Sequence, residues 1–181
     1  MRFIAARRKC VSSGNRSDAA RGCDTELRSM NYWQSLHSTI ATAIEPGRIG
    51  QPVFLRLTAV MECPAEGFNS QFAGLILLSS KCLGTKLVEL FVSGDPSAGH
   101  LSAVAEFESS ATAIITLARH GQPRIDLSLY GNQGSIIHSE SLEFHDCAFG
   151  SEEEIQDCDE LVARIAESMN ENAPVRLEGT S

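Results

Sequence analysis

A chain of 181 residues is long enough for one domain with a proper core and too short for two comfortable ones. Its formal net charge of −8 is uneven: residues 1–30 carry seven Lys/Arg against three Asp/Glu, a net of +4, which leaves −12 on residues 31–181. A body that acidic repels phosphate backbones, so nucleic acid is excluded as the main partner; no stretch reaches the ~18 consecutive apolar residues of a membrane span, so neither is a membrane a partner.

The basic leader, residues 1–30, has neither apolar periodicity nor the apolar run of ~7–15 residues of a secretory signal, and reads as a disordered tail ahead of one domain at 31–181. The first predicted helix runs from about Tyr32 to Glu45, with Trp33, Leu36, Ile40 and Ile44 on one face and Pro46 and Gly47 as its stop. A strand follows at 53–60, where Leu55, Leu57 and Ala59 alternate with Arg56 and Thr58. Residues 62–70 read as loop. The apolar stretch 71–93 reads as a second helix, buried on most sides, with Leu75, Leu78, Cys82, Leu83, Leu87, Leu90 and Phe91.

After the loop "SGDPSAGH", strands are predicted near 100–108, 111–119, 124–130 and 134–139, with a fifth at 141–145. Their short connections imply an antiparallel meander. In "RIDLSLYGNQGSI" (124–136), Gly131 and Gly134 bracket the turn and would permit positive φ. A last helix spans 151–170, opened by a capping box of Ser151 and Glu154 and lined by Ile155, Cys158, Val162, Ile165, Ala166 and Met169. The order of elements predicts an α+β fold, a mostly antiparallel, mixed sheet with helices on one face.

Chemical motifs are sparse. The sequence contains no GxGxxG, no GxxxxGK[ST] and no GxSxG, so nothing is built to cradle a pyrophosphate, and no cofactor is expected. His138, His145, Asp146 and Cys147 match no zinc spacing, and no metal is expected. The pair Arg119 and His120 reads as a solvated turn. Six cysteines without CxxC read as reduced thiols, which points to the cytoplasm.

Three segments, taken together, resemble the C-terminal domain of the glucose–fructose oxidoreductase, inositol dehydrogenase and rhizopine-catabolism (Gfo/Idh/MocA) family. "ATAIEPGRIGQPVFLRL" (41–57) is similar to the helix, Gly-x-[Ile/Leu]-Gly-x-Pro turn and first strand of that domain. "LSAVAEFESSATAIITLARHGQPRIDLSLYGNQGSI" (101–136) is similar to its strand passage and YG-containing hairpin. The closing helix with "NAPVRLEGTS" resembles the stretch before its last helix. The resemblance implies a C-terminal domain of the dihydrodipicolinate/glyceraldehyde-phosphate-dehydrogenase type. It also implies a role in lining a substrate pocket or in oligomerisation through an open sheet face.

The departures bear on activity. In the family a Rossmann domain binding NAD(P) precedes this one; here residues 1–30 stand in its place. The family's helix carries an Asp and a His that act on the substrate hydroxyl, whereas 71–94 contains neither; Ser80 and Gly84 fall at about those positions. Hydride transfer needs a base at the hydroxyl and a bound nicotinamide. No catalytic residue is therefore assigned, and the expected role is a non-catalytic homodimer module. Its oligomer face would be Val104, Ile114, Thr116, Ser128 and Tyr130, opposite Ala103, Ala105, Ile115, Leu127 and Leu129. Which of these faces meets the helices stays open, since both are mildly apolar. One rival is the substrate-binding part of a sugar or polyol oxidoreductase whose nucleotide-binding domain is a separate chain or lost by gene truncation. The other is a small-ligand module with a pocket between the second helix and the sheet, using Arg56 or Arg124 as anion contacts.

Overall fold

The computed structural model describes residues 37–141, apart from 39, 43, 45, 46 and 64, together with 152–177. The leader, the start of the first predicted helix, all but Ser141 of the strand expected at 141–145, the 145–147 run and the Ser151 cap lie outside the described residues. The described residues between 37 and 44 are helical and bury Ile40.

Strand β1 (Pro52–Val60) is followed by a 3₁₀ turn at Ala65–Gly67 and helix α1 (Phe68–Leu83). Then come β2 (Leu87–Asp95), β3 (His100–Phe107), β4 (Thr112–Ala118), β5 (Arg124–Gly131) and β6 (Ser135–Ser141), with α2 (Glu152–Glu171) and the short β7 (Val175–Arg176) closing the described chain. The seven strands form one mixed sheet in the order β6-β5-β1-β4-β3-β2-β7. The architecture is α+β, as expected.

The elements differ from expectation in several places. The 71–93 helix is two elements: α1 stops at Leu83, where Gly84 takes φ 67° and its N–H caps the Ser80 carbonyl at 2.9 Å. Residues beyond Lys86 form β2, which pairs antiparallel with β3 and buries Leu90 and Val92 on one face. The stretch "LVELFV" is apolar at both helical and strand spacing, so periodicity alone does not separate the two.

The meander is also interrupted. Strands β2, β3 and β4 follow it, but β1 lies between β4 and β5, parallel to the first and antiparallel to the second. The loop at 119–123 therefore steps over one strand, a gap of about 10 Å that five residues span easily. The parallel β1–β4 pairing is a long-range contact, closed by the crossover through α1.

One face of the sheet is the core. Leu55, Leu57 and Ala59 of β1 and Ala113, Ile115 and Leu117 of β4 are buried on the side packed by α1, whose Phe72, Leu75 and Ile76 belong to the same core, and Ile125, Leu127 and Leu129 of β5 continue that buried face. Helix α2 contributes Leu161 and Ile165 beside β2. Ala166, expected on its buried face, is exposed, and Ser168 is buried instead. The Ser168 hydroxyl has a reason to be inside: Val92 N–H donates to it at 3.0 Å, and it donates to the Ala173 carbonyl at 2.8 Å.

The two segments most responsible for the family resemblance touch each other. Residues 48–51 lie against the β5–β6 turn, with Gln133 N–H donating to the Ile49 carbonyl at 3.0 Å and Asn132 N–H to the Gln51 carbonyl at 3.1 Å. Gln51 N–H returns a bond to Asn132 Oδ1 at 3.1 Å. Gly131 and Gly134 do not take positive φ. Their hydrogen side chains are needed because a Cβ at Gly131 would run into the Ile49 carbonyl, and one at Gly134 would crowd that of Arg48. Gly50, by contrast, does sit at φ 66°.

Candidate functional site

Because side chains alternate along each strand, burying Leu55, Ile115 and Leu127 sends Arg56, Ile114 and Ser128 to the opposite face. That face is not covered by α1 or α2, and registers between strands arrange it in rows. One row runs Phe91, Val104, Ile114, Arg56, Ser128, Ile137 across β2, β3, β4, β1, β5 and β6. The next is a row of hydroxyls and one carboxylate: Ser93, Ser102, Thr116, Thr58, Asp126 and Ser139. Within it Ser102 and Thr116 share a hydrogen bond of 3.2 Å, and Ser139 donates to Asp126 at 2.6 Å.

The apolar members are wet in the single chain: Val104 is 44 % exposed, Ile114 39 %, Tyr130 42 % and Ile137 73 %. Phe54 and Tyr130 lie side by side across β1 and β5, with ring centroids 5.9 Å apart and planes tilted by 41°. Between these rings and β4 is a shallow, open hollow of about 450 Å³ lined by Phe54, Arg56, Ile114, Thr116 and Tyr130.

The structure thus brings Val104, Ile114, Thr116, Ser128 and Tyr130 onto one surface that no described residue covers, with Ala103, Ala105, Ile115, Leu127 and Leu129 on the helix side. Arg56 belongs to the same surface. Arg124 lies on this face too but at its far end, where its Nε donates to Asp126 at 3.0 Å. A pocket between α1 and the sheet using either arginine is therefore corrected: both point away from the helices, because they share strand parity with the open face. Sequence reasoning missed Phe54, Glu106 and Ile137. Ile136 and Ile137 are adjacent, so only the register Ser128–Ile137 shows which of them faces outward.

Helix α1 is a wall of the core. Phe68, Phe72, Leu75, Ile76, Leu78, Cys82 and Leu83 are buried along it, and the buried Ser79 hydroxyl donates to the Leu75 carbonyl at 2.8 Å. Burial pushes the Cys82 thiol up to about 12. Arg119, the expected solvated turn residue, holds the 96–99 turn through a bond from Nη2 to the Ser97 carbonyl at 3.1 Å. Among the described residues, no helix is long and apolar enough to cross a membrane.

No protein-family profile matches the chain, and no curated protein matches it. Solved structures do. A probable dehydrogenase from Thermotoga maritima superposes with a TM-score of 0.62 at 15 % identity, over 81 % of this chain and 62 % of its own. A myo-inositol dehydrogenase from Corynebacterium glutamicum gives 0.56 at 12 %, over 86 % and 64 %. A scyllo-inositol dehydrogenase from Lactobacillus casei, solved with NAD(H) and scyllo-inositol, gives 0.55 at 14 %, over 84 % and 63 %. The fold is that of the C-terminal domain of Gfo/Idh/MocA dehydrogenases. The chain spans less than two thirds of the length of these neighbours. The sheet and the helix α1 that follows its first strand are present, and the stretch 71–94 contains neither Asp nor His.

Proposed function

We propose that this chain is a non-catalytic oxidoreductase-type domain that acts as an assembly module, pairing with a second copy of itself through the open face of its sheet. The observation that carries the reading is the uncovered row of Val104, Ile114 and Ile137 beside Phe54 and Tyr130, opposite a helix-covered face. Face-to-face sheets leave a layer about 10 Å thick to be filled by such side chains. A two-fold arrangement requires only that the patch complement itself. The reading as non-catalytic rests on α1: Gly84 ends the helix without a side chain, its N–H capping the Ser80 carbonyl, and the stretch 71–94 offers neither Asp nor His. The buried thiol of Cys82 fits work in the reducing cytoplasm.

The hollow beside Arg56 favours a second reading, a small-ligand module that takes an anion on the same face. Sedimentation velocity of the full chain over a range of concentrations tests the first: a dimer that dissociates on dilution is expected, and a monomer at tens of micromolar would contradict it. Nicotinamide fluorescence titration should show no binding; a micromolar dissociation constant for NAD(P)H would overturn the non-catalytic reading.

A further inference from the structure

The charges on the open face do not all find partners within one chain. Among the described strand residues, the face carries Arg56, Arg124 and Arg176 against Glu89, Glu106 and Asp126, apart from Asp95, whose carboxylate is engaged by Ser97 in its own turn. Arg124 pairs with Asp126 at 3.0 Å and Arg176 with Glu89 at 3.1 Å. Arg56 and Glu106 are left over, of opposite sign, and neither forms an ion pair among the described residues.

Their positions are related through β4. Arg56 stands beside Ile114 on one side of that strand, and Glu106 stands beside Thr112 on the other. The line joining them crosses β4 between Thr112 and Ile114. Placing two such faces against each other about a two-fold axis in the plane between the sheets brings Arg56 of one copy over Glu106 of the other when the axis is perpendicular to that line and passes over its midpoint. The symmetry makes the contact twice, and Ile114 meets its own copy beside the axis. Glu106 also lies directly across from Glu89, whose charge Arg176 already holds, so a second cation lowers a repulsion built into the β2–β3 pair.

We infer that Arg56 and Glu106 set the register of the self-assembled face by pairing reciprocally between two copies. The inference rests on the self-assembly reading and adds the contact that selects one docking geometry over others. Arg56, centred in an otherwise apolar and hydroxylic surface, would be costly to desolvate without an acidic partner, and Glu106 supplies it.

The test is a charge exchange in the full chain. Arg56→Glu alone places two carboxylates at each contact, and Glu106→Arg alone places two guanidinium groups there. Each should weaken self-association by roughly tenfold or more while leaving the circular-dichroism melt intact, since both side chains are exposed. Mixing the two single variants restores both pairs in a heterodimer, so the mixture should associate about as tightly as the parent, as should the double variant. A parent dimer whose affinity ignores the single changes, or a mixture no better than its components, would overturn the pairing and leave the assembly reading standing. A monomeric parent would overturn both.

Discussion

At the scale of single residues, the glycines divide into two kinds that the sequence alone does not distinguish. Gly84 has φ 67° with open space around a would-be Cβ, whereas Gly131 has the Ile49 carbonyl in that space. Gly84→Ala should therefore cost about 1–2 kcal/mol, the left-handed penalty alone. Gly131→Ala should cost about 1–3 kcal/mol or more, since the 48–51 segment must shift and its bonds to the turn stretch. Thermal melts of the two variants compare them, and a Gly131→Ala melt at the parent temperature would show that the segment does not rest on the turn. Cys82 gives a pH dependence with a definite sign. Burial raises its folded thiol from an ordinary 9.0 to about 12, so it adds stability that is complete below pH 9 and lost as pH rises toward 12. Iodoacetamide should leave it unlabelled at neutral pH until the protein unfolds. Labelling of Cys82 in the native state would mean that α1 is not the packed wall described.

At the scale of elements, alternation made β5 most legible, because buried Ile125, Leu127 and Leu129 alternate with Arg124, Asp126 and Ser128, whereas exposed Val104 and Ile114 blur the contrast between the two faces of β3 and β4. The α1–β2 boundary was not legible: Leu87, Leu90 and Phe91 satisfy a helix as well as a strand, and the stop at Gly84 has no proline behind it. The strand assignment predicts that Leu90→Asp and Val92→Asp abolish the melting transition while Phe91→Asp keeps it, since only Phe91 faces away from α2. A chain that tolerates Leu90→Asp would contradict β2. Helix α2 was placed correctly but turned slightly wrong, because a buried Ser168 does not look like a core residue. Ser168→Ala should destabilise by about 1–3 kcal/mol, for it strands the Val92 N–H in the core; denaturant melts with an unchanged midpoint would show that the bond contributes nothing.

For the whole molecule, the fold class and the composition of both sheet faces could be read from the chain, and the strand order could not. Pattern specifies which side chains share a face, but the insertion of β1 between β4 and β5 is a pairing across about sixty residues with no local signal. The same limit hid the leftover charges, since Glu106 and Arg56 become neighbours of one strand only when β1 and β3 both flank β4. Among the described residues, the sheet is finished by helices on one side and unfinished on the other, and the central claim is that a second copy finishes it. Ile114 lies in the middle of the open face, 39 % exposed, with Arg56 and Val104 as its lateral neighbours. Ile114→Arg would bring two unpaired cations together beside the two-fold axis in a desolvated layer, at a cost of several kcal/mol, or on the order of a hundredfold and more in the dimer constant. Size-exclusion chromatography with multi-angle light scattering on the parent and on Ile114→Arg measures this directly. The account predicts the mass of two chains for the parent and of one for the variant, with the same melting temperature; a monomeric parent, or a variant that remains dimeric, would contradict it.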